Sequence, residues 1–163
     1  GSYVLTAAHV CESGRLAAIA KTGKLLETNF DAIDINGASY PLIILSANTS
    51  MDLCLLFAEG LVNSRALKLS GTPPRRGEKV YNMAAPQGVF TINMFPLFDG
   101  YYAGHDQNFD LYTIPAAQGS SGSPILNSEG HLVGVVTMSF QGFQNMSLSP
   151  PYNHLRAFLL NYL

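Results

Sequence analysis

An all-β domain closed by a single C-terminal helix is the architecture this sequence predicts, and three observations carry the prediction. Short apolar runs rich in β-branched residues recur at close spacing along the 163 residues. Gly (15) and Pro (9) are frequent, which suits short strands joined by tight turns. A helical period stands out only near the C-terminus, where Leu155, Phe158, Leu159 and Tyr162 are spaced i, i+3, i+4, i+7. About ten strands in all point to a barrel or a sandwich.

Taken in order, Tyr3 to Thr6 opens the chain as an apolar, β-branched strand, and Ala7-Ala8-His9-Val10-Cys11 then suits a short helix. Leu16 to Lys21 and Ala32 to Ile35 are the next strands, with Gly23 as a break between them. Asn36-Gly37, between Ile35 and Tyr40, has the composition of a two-residue hairpin turn. Pro41 to Leu45 reads as a buried strand. Asp52 to Phe57 is another, because Leu53, Leu55, Leu56 and Phe57 leave little room for a wet face. Beyond a Gly/Pro stretch from Gly71 to Gly77 come Lys79 to Ala84, Val89 to Phe95, Phe109 to Ile114, Ser123 to Leu126 and Leu132 to Met138. Pro150-Pro151 ends the strands and introduces the helix Tyr152 to Leu163.

Composition narrows the function. Hydrophobic residues make up 47% of the chain and charged ones 12%, which excludes disorder, since disordered chains are charge-rich and apolar-poor. A net charge of −2 offers no electrostatic footprint for nucleic acid. No apolar run approaches the ~18 residues of a membrane span. His and Cys lack the paired spacing of a zinc site, so no metal is expected, and no cofactor-binding loop is present. Cys11 and Cys54 do not make a disulfide framework, and free, buried thiols are the expectation. No basic leader precedes Gly1-Ser2-Tyr3, so no signal peptide is expected in this stretch.

The segment richest in chemistry is Gln118-Gly119-Ser120-Ser121-Gly122-Ser123-Pro124. Gly and Ser at this density can hold successive backbone N–H groups facing one concavity, which is what an oxyanion hole requires. Read alone, the stretch fits a polar turn equally well. A nucleophilic serine needs a base. His105, His131 and His154 fall in loops or on a helix surface, whereas His9 follows a strand and has two alanines beside it. The base in turn needs an orienting carboxylate. Asp52 heads an apolar strand, where a carboxylate must be hydrogen-bonded or paired. Asp31 and Asp34 flank a hairpin and are expected to face water.

These residues carry a resemblance. Leu5-Thr6-Ala7-Ala8-His9, Asp52-Leu53-Cys54-Leu55-Leu56 and Gly119-Ser120-Ser121-Gly122-Ser123-Pro124 resemble, in order, the histidine, aspartate and G-D-S-G-G-P motifs of the trypsin-like (chymotrypsin-fold) serine peptidases. Gly77-Glu78-Lys79-Val80 through Ala85-Pro86-Gln87-Gly88 is similar to a stretch of the HtrA/Deg-type branch. The Ser121-Gly122-Ser123-Pro124 ending looks more like the glutamyl endopeptidase branch. The resemblance implies a double antiparallel β-barrel with a C-terminal helix, and a protein or peptide as substrate. The first barrel would span about 1–70 and carry His9 and Asp52. The second would span about 78–150 and carry Ser121, with the helix at 152–163. It also implies Ser121 as nucleophile, His9 as general base and then acid, and Asp52 as holder of the imidazole tautomer. The N–H groups of Gly119 and Ser121 would form the oxyanion hole.

The departures from the family are informative. The family places one or two strands before its histidine motif. With His9 so early, the first barrel is expected to lack its first strand or strands. Ser120 stands where the digestive members carry an aspartate that pairs with a newly cut N-terminus, so no such activation is expected. Pro115 occupies the pocket-base position that is an aspartate in trypsin. Val136 stands near where the glutamyl branch has a histidine, and the wall strand reads Thr137-Met138-Ser139. Pro115, Ala116, Gln118, Thr137, Met138 and Ser139 would then line a small, mostly apolar pocket, suited to small or medium apolar residues before the cleaved bond. The competing reading is a catalytically weak or inactive domain that captures peptides in its groove.

Overall fold

A computed structural model describes residues 1–13, 30–62, 65–140 and 142–162 of the chain. The chain divides into two compact units, Gly1–Ala66 and Leu67–Leu163. The expected strand Leu16 to Lys21 and the break at Gly23 lie outside the described residues.

In the first unit, strand β1 (Ser2–Thr6) leads into helix α1, helical over 8–13. Strands β2 (Phe30–Ile33), β3 (Ser39–Asn48) and β4 (Leu53–Ala58) follow. They form an antiparallel sheet in the order β1-β4-β3-β2. Strand β4 lies between two neighbours and is apolar on both faces, so Leu53, Cys54, Leu55 and Leu56 are all buried. Ala8, Cys11, Cys54 and Leu56 form one core cluster, joined by Val4, Phe30, Leu42 and Ile44.

The second unit contains β5 (Lys79–Met83), β6 (Leu97–His105), β7 (Asp110–Tyr112), β8 (Pro124–Leu126), β9 (Leu132–Val135), β10 (Met138–Phe140) and β11 (Phe143–Ser149). The sheet order is β10-β11-β7-β6-β5-β8-β9, antiparallel throughout. Val80, Tyr102, Tyr112, Ile114, Ile125, Val133 and Val136 make its core. Helix α2 (Tyr152–Leu159) packs on β9 and buries Tyr152, Leu155 and Leu159, the inward side of the predicted apolar stripe. Pro151 has no side chain to cap this helix. The Asp110 carboxylate, reaching over from β7, accepts the Tyr152 N–H at 2.9 Å instead.

Several expectations are corrected. Cys11 and Cys54 are not free thiols but a disulfide, Cα to Cα 6.7 Å. Pairing of Thr6 with Cys54 lays the start of α1 against β4, an approach invisible across a sequence separation of 43. The strand expected at Pro41 to Leu45 is part of β3, but it is not buried on both faces. Its exposure alternates, and Ile43 and Leu45 face outward. The expected two-residue hairpin turn is a longer loop between Ile33 and Ser39. Asp34 does not simply face water: its carboxylate accepts the N–H groups of Asn36 and Ala38 and the Tyr40 hydroxyl, and so shapes that loop. Val89 to Phe95 forms no strand. After a 3-10 turn at Pro86–Gly88 it makes a tight turn between Thr91 and Met94, with Asn93 at φ 70°, and it pairs with no other strand among the described residues.

The strand expected at Leu132 to Met138 is interrupted. Val136 leaves the ladder to exchange two hydrogen bonds with Gly122 and Ser123, and β10 starts afresh on β11. Strands β6 and β11 carry weak sequence signals because they are rich in Gly, Asn, Gln and Ser. In β6 Gly100 has a steric cause: a Cβ there would overlap the carbonyl of Thr113, just past the end of the neighbouring strand β7.

Candidate active site

The first unit brings His9 and Asp52 together. β1 and β4 are antiparallel, so the residues just past the end of β1 lie beside those just before the start of β4. His9 is in the first turn of α1, behind the buried pair Ala7 and Ala8. Asp52 ends the turn between β3 and β4, and its N–H bonds to the Thr49 carbonyl. Asp52 is held at φ 53°, in the left-handed region that non-glycine residues seldom occupy. One carboxylate oxygen accepts the His9 backbone N–H at 2.9 Å, and the other lies 2.7 Å from His9 Nδ1. An ionised carboxylate can only accept, so Nδ1 carries the proton and the neutral ring keeps its lone pair on Nε2. The Cys11–Cys54 bridge ties the same two segments together, two residues beyond His9 and two beyond Asp52.

The second unit carries Ser121 in the loop between β7 and β8. Three bonds set the loop's shape. Ser120 N–H reaches the Ala117 carbonyl, Ser123 N–H reaches the Ser120 carbonyl, and Gly122 N–H reaches the Val136 carbonyl at 2.7 Å. The Gly119 and Ser121 N–H groups, which alternate with these, have no acceptor among the described residues. Gly119 has φ 95°, and a Cβ there would stand 2.6 Å from the Ala85 carbonyl oxygen, so only glycine fits. The Gln87 N–H donates to the Gln118 carbonyl. Thus the Ala85-Pro86-Gln87-Gly88 stretch noted in the sequence acts as a backing plate for the serine loop. Ser120 is buried, and its hydroxyl accepts the Ala117 N–H within its own turn.

A cleft of about 130 Å³ opens beside Ser121, lined by Ala116, Ala117, Gln118, Val136, Thr137, Met138 and Ser139. It gathers five of the six expected pocket residues. Pro115 is half-buried and outside the lining, and Ala116 takes its place at the wall. Ala117 is a lining residue that the sequence expectations do not single out, and Val136, which they place near the glutamyl branch's histidine, lines the cleft as well. The signal for Ala117 was its place between two expected lining residues, Ala116 and Gln118. None of the lining residues is charged. β10 closes one side and is the sheet's terminal strand, so one of its edges is unpaired among the described residues.

The family model for the trypsin-like peptidase domain matches residues 1–135. The chain belongs to this family. The trypsin-like peptidase domain is accordingly mostly β, with two antiparallel sheets and a C-terminal helix, an arrangement of the chymotrypsin-like double-barrel type. It is also similar to an uncharacterized protein, y4bJ, of Sinorhizobium fredii, with 27% identity over 137 residues. That match covers 75% of this chain but 21% of the relative, so the chain spans about a fifth of the curated protein it matches.

Proposed function

We propose that the domain is a serine endopeptidase that hydrolyses peptide bonds through Ser121, His9 and Asp52. What carries the reading is the pair of hydrogen bonds that Asp52 accepts from His9, one from its backbone N–H and one from Nδ1, which orient the ring and favour the tautomer with Nε2 unprotonated. His9 Nε2 takes the Ser121 proton as the hydroxyl oxygen attacks the carbonyl carbon. The carbonyl oxygen gains the negative charge, and the unengaged Gly119 and Ser121 N–H groups receive it. His9 returns the proton to the leaving amine, and water repeats the cycle on the acyl-enzyme. The substrate backbone adds along the open edge of β10, and the uncharged cleft accepts a small or medium apolar side chain before the scissile bond.

A fluorophosphonate probe tests the nucleophile, because it labels only an activated serine. Labelling of the native chain that disappears in Ser121→Ala is the expected result. Absence of labelling in the folded native chain would favour peptide capture without cleavage. A peptide library then reads specificity, and a profile dominated by Arg, Lys or Glu before the cut would overturn the pocket assignment.

A further inference from the structure

Asn82 is wholly buried in β5, one residue from its C-terminal end, where it pairs with Phe98 on one side and Ile125 on the other. An amide is an unusual occupant for a wholly buried strand position next to the buried Val80 and Ile125. Its Nδ2 donates to the Ser123 hydroxyl at 2.9 Å and to the Pro124 carbonyl at 2.8 Å. The Pro124 oxygen can only accept, so the amide's orientation is settled: nitrogen toward the serine loop, oxygen away. That oxygen, Oδ1, is buried and has no hydrogen-bond partner among the described residues. A group selected for stability alone would be apolar here, or satisfied at both ends.

We infer that Asn82 is a positioning residue for the proposed nucleophile, acting by clamping the Ser123 hydroxyl and the Pro124 carbonyl on the C-terminal arm of the Ser121 loop. Ser123 lies two residues beyond Ser121. Its N–H and carbonyl are already committed to Ser120 and Val136. The hydroxyl is its remaining handle, and Asn82 holds it. With that arm fixed from both sides, the Ser121 N–H and Oγ cannot drift from the places that the reaction needs. Displacement of a reacting group by about 1 Å can cost ~10²-fold in rate.

The inference rests on the serine peptidase reading, and the test separates the two. Acylation rate, kcat and KM for an activated ester substrate are measured for the native chain, Asn82→Ala, Ser123→Ala and the double variant. All are assayed well below each melting temperature. The expected result is a kcat and a labelling rate about tenfold to 10²-fold lower in Asn82→Ala, with KM within about threefold, because the cleft itself is untouched. Ser123→Ala should lose part of this, and the double variant should be no worse than Asn82→Ala. A folded Asn82→Ala chain with a lower melting temperature but native kcat would overturn the inference and make Asn82 merely structural. If Asn82→Ala does not fold, Ser123→Ala decides, and a native kcat there overturns the proposed clamp. A native chain that never labels removes the peptidase reading itself.

Discussion

Asp52 combines two demands on one residue: a carboxylate that accepts twice from His9, and a backbone in the left-handed region. Asparagine tolerates that backbone better than alanine does, so Asp52→Asn isolates the chemistry from the fold. It should melt within a few degrees of the native chain. Its kcat should nevertheless fall by about 10⁴, as when a triad loses the carboxylate that sets the tautomer. A loss below tenfold would mean that His9 does not depend on Asp52. Both residues stand out in the sequence by their settings, His9 behind two alanines and Asp52 at the head of an apolar strand. Asn82 does not, because nothing local to Tyr81-Asn82-Met83 says that its amide reaches across 41 residues to Ser123.

At the level of elements, the strongest sequence signals are those carried by short-range apolar pattern and by Pro/Gly breaks, even where the strands pair far along the chain. β1, β4, β5 and β8 fall where apolar pattern and Pro/Gly breaks place them, and the helix α2 starts where Pro150-Pro151 place it but ends at Leu159, short of the expected Leu163. The stretch Val89 to Phe95 has strand composition but no partner strand among the described residues, and pairing rather than propensity decides a strand. The Asp110 cap on α2 is another contact between elements that no cap signal announces, since the residue before the helix is Pro151. Burial raises the Asp110 pKa above the ordinary aspartate value and outweighs the bonds from Tyr152 and Tyr102. The folded state therefore favours the neutral carboxyl. Its contribution is full below the unfolded value and is lost as pH rises through the folded one. Asp34 has the opposite sign: bonds from Ala38 and Asn36 lower its pKa, and its contribution fades as pH falls. Asp110→Asn keeps an acceptor for the Tyr152 N–H and should flatten the decline in melting temperature as pH rises above about 4. An unchanged slope would assign that decline to other groups.

Over the whole molecule, each unit has its own apolar cluster, and the disulfide belongs to the first. Replacing Cys11 and Cys54 together by alanine should cost about 2–4 kcal/mol. It should raise amide exchange in β1 and β4, while β5, β6 and β8 keep their protection. Loss of protection in the second unit as well would show that the bridge supports the entire chain. Catalysis should weaken too, because the bridge and the His9–Asp52 pair join the same two segments.

The sequence by itself determined the all-β class, the C-terminal helix, the order of the three motifs and the uncharged character of the cleft residues. These are properties of composition and short-range pattern, which the chain carries wherever it folds. Tertiary structure alone decided that the cysteines bond, that Val136 breaks its strand to hold the serine loop, that Gly119 and Ser121 keep unengaged N–H groups, and that Asn82 faces Ser123. Each of these depends on strands distant in sequence meeting in one register. Register is set by burying many side chains at once, so no single stretch of residues contains it.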